Sequence, residues 1–261
     1  MKDLVSIIMP NYNCGNYIAE TIKSVIAQTY TNWELLFVDD CSTDDSVAVV
    51  ESFAESRIRI LKNEKNSGAA VSRNYALREA KGRWIAFLDS DDLWLPEKLE
   101  KQIAFMEEHN YAFTYAKYEE IAENSISFNR VVAGPKRITK RKQYDYCWQG
   151  CLTVMYDVNV VGLIQIEDIK KNNDYAMWLK VCKKVDCWLF PQVLAKYRKR
   201  AGSISNHGYL KLIKWHYKLF REIEKMCIVI AVFNTIRNML YGTIKKIFYT
   251  KKIKNKESNE K

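Results

Sequence analysis

A chain of 261 residues with 48% apolar and 13% aromatic content can bury a substantial core, as one large domain or two halves, which excludes a disordered protein. Its net charge of +10 is unevenly placed: residues 208–261 hold 13 of the 41 Lys and Arg but only 4 of the 31 Asp and Glu, so the first 207 residues are near neutral. Basic character confined to a tail argues against a nucleic-acid-binding body and fits an anionic membrane surface better. Seven cysteines at scattered positions, none in Cys-x-x-Cys spacing, argue against a disulfide framework or a zinc site. No secretory signal pattern opens the chain, and Leu4 to Met9 is too short to span a bilayer, so a cytoplasmic body is expected.

In chain order the first 92 residues alternate strand and helix. Leu4 to Met9 reads as a strand and Tyr17 to Gln28 as a helix, with Ile18, Ile22, Val25 and Ile26 on one face. Leu35 to Val38 is a second strand. A helix over about Asp45 to Ala54 follows the capping stretch Ser42-Thr43-Asp44-Asp45. Arg57 to Leu61 is a third strand, Ala69 to Ala80 a helix stopped by Gly82, and Trp84 to Leu88 a fourth strand. Right-handed crossovers wind this order into a mainly parallel sheet flanked by helices. Beyond it come a helix from Glu97 to His109, strands at Ala112 to Tyr118 and Ile126 to Val132, and a basic loop from Lys136 to Lys142. A strand at Leu152 to Tyr156, a helix from about Tyr175 to Val185 and strands at Trp188 to Phe190 and Val193 to Tyr197 complete the body.

Chemistry gathers where strands end. Trp84-Ile85-Ala86-Phe87-Leu88 runs straight into Asp89-Ser90-Asp91-Asp92. An apolar run of this kind is a strand buried on both faces, and the carboxyl edge of such a sheet is where ligands bind. Three carboxylates in four positions repel one another unless solvated or sharing a cation, and all-oxygen ligands suit Mg²⁺ or Mn²⁺. Taken alone, Asp-Ser-Asp reads better as a turn. A second acidic pair, Asp39-Asp40, ends the Leu35 to Val38 strand, and Tyr12 follows the first strand, so parallel connectivity brings all of them to one edge. An aromatic face, a carboxylate acceptor and a cation would together bind a nucleoside diphosphate. Neither Gly-x-Gly-x-x-Gly nor the P-loop glycine motif occurs, so the phosphates need a cation.

The ordered motifs Val5 to Pro10 with Asn11-Tyr12-Asn13, then Val38-Asp39-Asp40-Cys41-Ser42, then Ser67-Gly68 with Ser72-Arg73-Asn74, then Phe87-Leu88-Asp89-Ser90-Asp91-Asp92 resemble those of family 2 glycosyltransferases of the GT-A fold. Cys41 stands where glycine is usual. The resemblance implies that Pro10, Tyr12, Asp40, Arg73 and Asp89 form the nucleotide site: Tyr12 stacks on the base, commonly uracil, Asp40 accepts from the base N–H, Arg73 reaches the nucleotide, and Asp89 meets the ribose or metal. Asp91 is then the metal ligand. Asn172-Asn173-Asp174-Tyr175 resembles the segment carrying the family's general base, which puts Asp174 in that role, with Asn173 in place of the usual Glu; Asp168 and Glu167 are the other candidates. Tyr197-Arg198-Lys199-Arg200 with Ser203-Ile204-Ser205 reads equally as a lid over the diphosphate or as a solvated connection.

The expectation is an α/β GT-A catalytic domain over 1–207, with a nucleotide-binding half at 1–92 and an acceptor half at 93–207, followed by a basic amphipathic helical segment at 208–261. The expected activity is inverting, metal-dependent transfer from a nucleotide-sugar, a UDP-sugar by resemblance, to a hydroxyl of a bacterial glycan acceptor such as capsule, lipopolysaccharide or a lipid-linked oligosaccharide. The rival is a non-catalytic nucleotide-binding scaffold in a glycan-assembly complex. A processive synthase would add a Gln-x-x-Arg-Trp motif, and a sugar nucleotidyltransferase a glycine-rich loop after the first strand; this chain carries neither.

From Tyr209, Leu212, Ile213, Leu219, Phe220 and Ile223 recur at helical spacing, opposite Lys211, Lys214, Lys218, Arg221 and Lys225. The apolar run from Cys227 to Phe233 is broken by Asn234, Thr235, Arg237 and Asn238, short of the ~20 residues a span requires. Peripheral attachment to the inner face of the cell membrane is the expectation, with Lys245, Lys246, Lys251, Lys252, Lys254 and Lys256 adding charge; packing of the helix on the body is the other reading.

Overall fold

Strands that must be apolar on both faces are the framework of this molecule. In the computed structural model, which describes residues 2–200 and 209–252, the alternating half runs β1 (Val5–Asn11), α1 (Gly15–Ile26), β2 (Trp33–Asp39), α2 (Ser46–Glu51), β3 (Ile58–Lys62), α3 (Ala69–Glu79) and β4 (Trp84–Phe87). These four strands pair in parallel in the order β3-β2-β1-β4, with Val5 beside Trp33 and Trp84, and Ile8 beside Leu36 and Phe87. Alternate side chains feed two separate cores. Ile8, Leu36, Val38, Ile85 and Phe87 face one, while Ile7, Met9, Leu35, Phe37 and Trp84 face the other. Helices on both sides are thereby required, as expected for a GT-A fold.

The second half continues the same sheet with mixed pairing. It comprises β5 (Leu93–Trp94), α4 (Lys98–Glu108), β6 (Phe113–Ile121), β7 (Ser127–Val132), β8 (Arg137–Ile138), α5 (Lys140–Gln143), β9 (Met155–Asp157), α6 (Val158–Val161), α7 (Asn173–Cys182) and β10 (Cys187–Arg198). Antiparallel β9 slots in between β4 and β6, which joins the two halves through backbone hydrogen bonds. Three boundaries differ from expectation for local reasons. The strand expected over Leu152 to Tyr156 begins only at Met155, because Cys151–Thr153 form a 3₁₀ turn. The strands around Trp188 and Val193 are one strand, bulged between Phe190 and Val193, where Pro191 has no N–H to give to the ladder. The basic loop from Lys136 holds β8 and α5, because Ile138 and Gln143 are buried.

Two helices close the fold. α8 (Tyr209–Lys218) runs into a π-helical turn at Leu219–Ile223, α9 (Ile228–Phe248) follows, and β11 (Thr250–Lys252) pairs antiparallel with β7 as an edge strand. Leu219 and Phe220 pack with Ile169, Tyr175, Leu179 and Ala231, while Lys211, Lys214, Arg221 and Lys225 are exposed. The α8 segment therefore covers the body with its apolar side. α9 runs straight through Asn234, Thr235 and Asn238, because those polar residues face inward. Among the described residues no helix is long and apolar enough to cross a membrane. The expected boundary at 207/208, the Ser203-Ile204-Ser205 stretch, and Lys254 and Lys256 lie outside the described residues.

Candidate active site

Because β2, β1 and β4 are adjacent and parallel, their carboxyl ends deliver Asp39-Asp40, Asn11-Tyr12 and Asp89 to one edge. Pro10 lies near the end of β1, in register with Val38. Just past it, Asn11 donates from Nδ2 to Asp39 Oδ1 (2.9 Å) and to Ser46 Oγ (2.9 Å), and the Ser42 N–H donates to Asp39 Oδ2 (3.0 Å). Asp39 is thus a structural clamp between the first two strand ends. Tyr12 beyond it is 48% exposed, an aromatic face open to a ligand. Cys41, at φ 60°, occupies the left-handed region, which explains why glycine is usual there.

Asp40 is buried and holds the loop before α3. Its Oδ1 accepts from Asn63 Nδ2 (2.7 Å) and Ser67 N–H (2.8 Å), and its Oδ2 accepts from Gly68 N–H (2.7 Å). Gly68 makes that bond at φ 87°, a conformation L side chains rarely adopt. With one of these bonds at Oδ2, the carboxylate retains capacity for a further donor such as a base N–H. The same loop launches α3, which carries Arg73.

Arg73 lies across the centre of the site. Its guanidinium is buried, pairs through Nη2 with Asp89 Oδ1, and donates from Nη1 to Asn173 Oδ1 (2.9 Å). Burial opposes its charge, but Asp89, with Cys151 and Asp174 adding to it, more than offsets this and keeps Arg73 firmly protonated. Asn173 begins α7, preceded by Asn172 in a left-handed cap at φ 59°, and Asp174 follows in the first turn. Burial raises the Asp174 carboxyl above its usual range, the charge of Arg73 opposing the rise; its Oδ1 accepts from the Tyr175 N–H (2.8 Å). Of the other candidates for the base, Glu167 pairs with Lys180 Nζ (2.6 Å) and Asp168 is exposed.

The acidic turn after β4 is under electrostatic tension. Burial, then Asp89, push the Asp91 carboxyl up, and Arg200 opposes them with its Nε 2.6 Å from Asp91 Oδ2. Asp92 is buried; its Oδ1 accepts from the Arg198 N–H (2.8 Å), and its Oδ2 has no hydrogen-bond partner. Burial, with Asp91 and Asp89 adding to it, raises Asp92 well above the ordinary range. Among the described residues no three His, Cys, Asp or Glu side chains converge into a metal cage. A hard divalent cation needs none, since Mg²⁺ is commonly held by one or two carboxylates plus substrate phosphates. Asp89 and Asp91 fit that role as hard oxygen donors in a carboxylate-rich turn that a cation would relieve.

Arg198 and Arg200, which the sequence offers equally as part of a lid or as a solvated connection, lie against the acidic turn, and Asn173 contacts Arg73. Arg198 is buried, donating from Nε to Asp91 O (2.7 Å) and from Nη2 to Glu20 Oε2 (2.7 Å). The signal was the Arg198-Lys199-Arg200 cluster at the end of β10, ambiguous without the pairing that lays it against the acidic turn.

Known proteins resemble this chain in sequence and fold. Residues 6–156 match the family model described as glycosyl transferase family 2. The chain is 44% identical over 214 residues to UDP-Glc:alpha-D-GlcNAc-diphosphoundecaprenol beta-1,3-glucosyltransferase WfgD of Escherichia coli, covering 80% of this chain and 82% of that one. It is 40% identical over 213 residues to the same organism's WfaP, whose name gives the same reaction, covering 81% and 84%. Among solved structures, S. aureus TarS residues 1–349 in complex with UDP-GlcNAc superposes with a TM-score of 0.72 at 21% identity, covering 94% of this chain and 76% of that one, which shows a shared GT-A fold. A family model that matches more than half of the chain, with relatives this similar along most of their length, leads to one statement: the chain belongs to glycosyl transferase family 2.

Proposed function

We propose that this glycosyltransferase is inverting and metal-dependent, and that it moves a hexosyl or N-acetylhexosaminyl group from a UDP-sugar to a hydroxyl of a lipid-linked glycan under construction. Asp174 takes the proton of the acceptor hydroxyl as its oxygen bonds to the anomeric carbon, and the bond from that carbon to the diphosphate oxygen breaks in the same displacement. A divalent cation, when bound, stabilises charge on the departing diphosphate, with Asp91 and Asp89 as the residues that would hold it. Tyr12 and Asp40 orient the base. Arg73 orients Asp89 and the start of α7.

The observation that carries this reading is the single bridge Asp89–Arg73–Asn173, which sets the candidate base next to the donor edge of the sheet. WfgD, by its name, takes UDP-glucose and a diphosphoundecaprenol-linked GlcNAc, TarS was solved with UDP-GlcNAc, and the mannosyltransferase PcManGT of Pyrobaculum calidifontis was solved with GDP-Man and Mn²⁺. These support a nucleotide-sugar donor, a lipid-linked acceptor and a metal. Peripheral attachment to the inner face of the membrane follows as part of the proposal, because the acceptor is held there and the positive charge lies in the C-terminal segment.

The test is nucleotide release from UDP-, GDP- and dTDP-sugars, with and without Mn²⁺, in the presence of a polyprenyl-diphosphate saccharide. Release that needs UDP-sugar, acceptor and Mn²⁺ is the expected result. Tight UDP binding with no transfer to any acceptor would favour the scaffold instead.

A further inference from the structure

α9 meets the body through buried polar residues set among Ala231, Tyr241 and Ile244, and it is apolar where it meets solvent. On its inner side, Asn238 donates from Nδ2 to the Tyr175 hydroxyl (3.0 Å), Lys245 donates from Nζ to Trp148 O (2.8 Å), and Arg237 pairs with Asp145 (3.2 Å). Asn234, Thr235 and Asn238 are buried there. The outer side carries Val229, Val232, Phe233, Ile236, Leu240 and Ile247, which recur at helical spacing, with Thr243 as the one hydroxyl among them. The exposure is large: Val229 77%, Phe233 60%, Ile236 58% and Leu240 61%. At 1.5 Å per residue the stripe runs roughly 30 Å along one helix. A continuous apolar stripe of this kind marks an interaction surface, whereas scattered apolar residues would not.

Charge at the rim identifies the occupant. Arg221 and Lys225 are exposed before α9, and Lys246, Lys251 and Lys252 at and after its end. The exposed carboxylate nearby, Glu222, is paired with Lys218 (3.4 Å). Two copies of this chain meeting stripe to stripe would bring cations against cations. Anionic headgroups would instead complement both ends while acyl chains receive the stripe, the arrangement of a helix lying in a bilayer interface.

We propose that the outer face of α9 inserts into the interface of an anionic bilayer and is the principal membrane contact of this protein, with the lysines at its ends acting as headgroup anchors. The inference rests on the peripheral-membrane part of the proposed function and changes its physics, from charge attraction alone to apolar insertion. It also bears on the acceptor side of the site: the buried Asn238, on the inner face of the inserted helix, holds the hydroxyl of Tyr175, whose neighbour in sequence is Asp174.

Deleting the C-terminal segment is a poor test, because α8 and α9 bury Tyr175 and Leu179 and their loss would expose that core. Outward-facing substitutions avoid this. The intact chain is compared with the combined variant Phe233→Gln, Ile236→Gln, Leu240→Gln, and with Lys246→Gln, Lys251→Gln, Lys252→Gln. Each is floated with phosphatidylcholine vesicles with and without phosphatidylglycerol, at about 0.1 M and about 1 M NaCl, where screening lengths are near 10 and 3 Å. Circular dichroism and Mn²⁺-dependent UDP binding serve as folding controls. The intact chain should stay on phosphatidylglycerol vesicles at the higher salt. The glutamine stripe should lower binding at least tenfold at both salts, and the lysine variant should lose mainly the low-salt, anion-dependent part. Complete release of the intact chain by salt, or stripe variants that bind as the intact chain does, would overturn insertion. So would a stripe substitution that turns a dimer into a monomer without altering vesicle binding, since a second copy would then be the occupant. Vesicle binding without sugar transfer would leave insertion standing and count against the proposed function alone.

Discussion

Arg73 donates from Nη1 to Asn173 Oδ1 across 2.9 Å, so the residue just before the proposed base is tied to the guanidinium that pairs with Asp89. Asparagine accepts this bond without adding charge, which leaves the guanidinium to counter the burial that raises Asp174. Asn173→Glu should reverse that balance, because a new carboxylate would neutralise Arg73 and repel Asp174 together. Both effects raise the Asp174 carboxyl further. A base must be deprotonated, so the acid limb of the kcat profile should move to higher pH in this variant, with the rate above the limb little changed. An unmoved limb would show that Asp174 does not set it.

Asp174→Asn keeps the shape and removes the proton acceptor. Transfer should fall by roughly two or more orders of magnitude, the usual size of a general-base effect, with UDP and metal affinity nearly unchanged. Because the carboxyl is raised by burial, the intact enzyme should lose activity on acidification above the range of an exposed aspartate, and residual activity of the variant should lack that limb. Near-normal transfer would move the role to Asp168 or Glu167, the latter needing first to leave Lys180.

The donor edge was legible in the sequence because a strand buried on both faces is a continuous apolar run, and the residue after such a run must lie at the sheet edge. Leu35 to Val38 and Trp84 to Leu88 carry that signal without help from the rest of the chain. What stayed hidden depends on contacts far apart in sequence. Arg73 and Asn173 are 100 residues apart, and nothing local in either says that they meet. Arg200 reads equally as part of a lid or as a solvated charge until the chain after β10 sets it against Asp91. For α9 the obstacle was different: Asn234, Thr235 and Asn238 look like interruptions of an apolar segment, and they lie on its inner face beside Ala231 and Tyr241.

Cys41 offers a test of backbone geometry independent of catalysis. At φ 60° it holds the turn after Asp39-Asp40 in a region that costs an L-residue roughly 1–2 kcal/mol, partly repaid by the Sγ contact with Asn63 O at 3.1 Å. Cys41→Gly should be at least as stable as the parent to urea. Cys41→Val should be less stable by about 1–2 kcal/mol, because branching at Cβ worsens the same clash. Equal midpoints for the two variants would mean that the turn adopts another conformation.

Asp91, the proposed metal ligand, is the ion-pair partner of Arg200. The 2.6 Å ion pair occupies one oxygen of the carboxylate that the metal would use. Asp91→Asn removes the ligand charge, so turnover should vanish and Mn²⁺-dependent UDP binding should weaken sharply. Full activity of that variant in the presence of a chelator would end the assignment. Arg200→Gln works in the opposite direction: it frees the Asp91 carboxylate, and the protein without nucleotide should bind Mn²⁺ more tightly by roughly threefold to tenfold, the scale of about 1 kcal/mol for a partly exposed pair. Isothermal titration of the two variants and the parent with Mn²⁺ alone checks both signs at once. If Arg200→Gln leaves Mn²⁺ affinity unchanged while Asp91→Asn abolishes it, the guanidinium does not compete for the site and its pairing with Asp91 is a structural contact only.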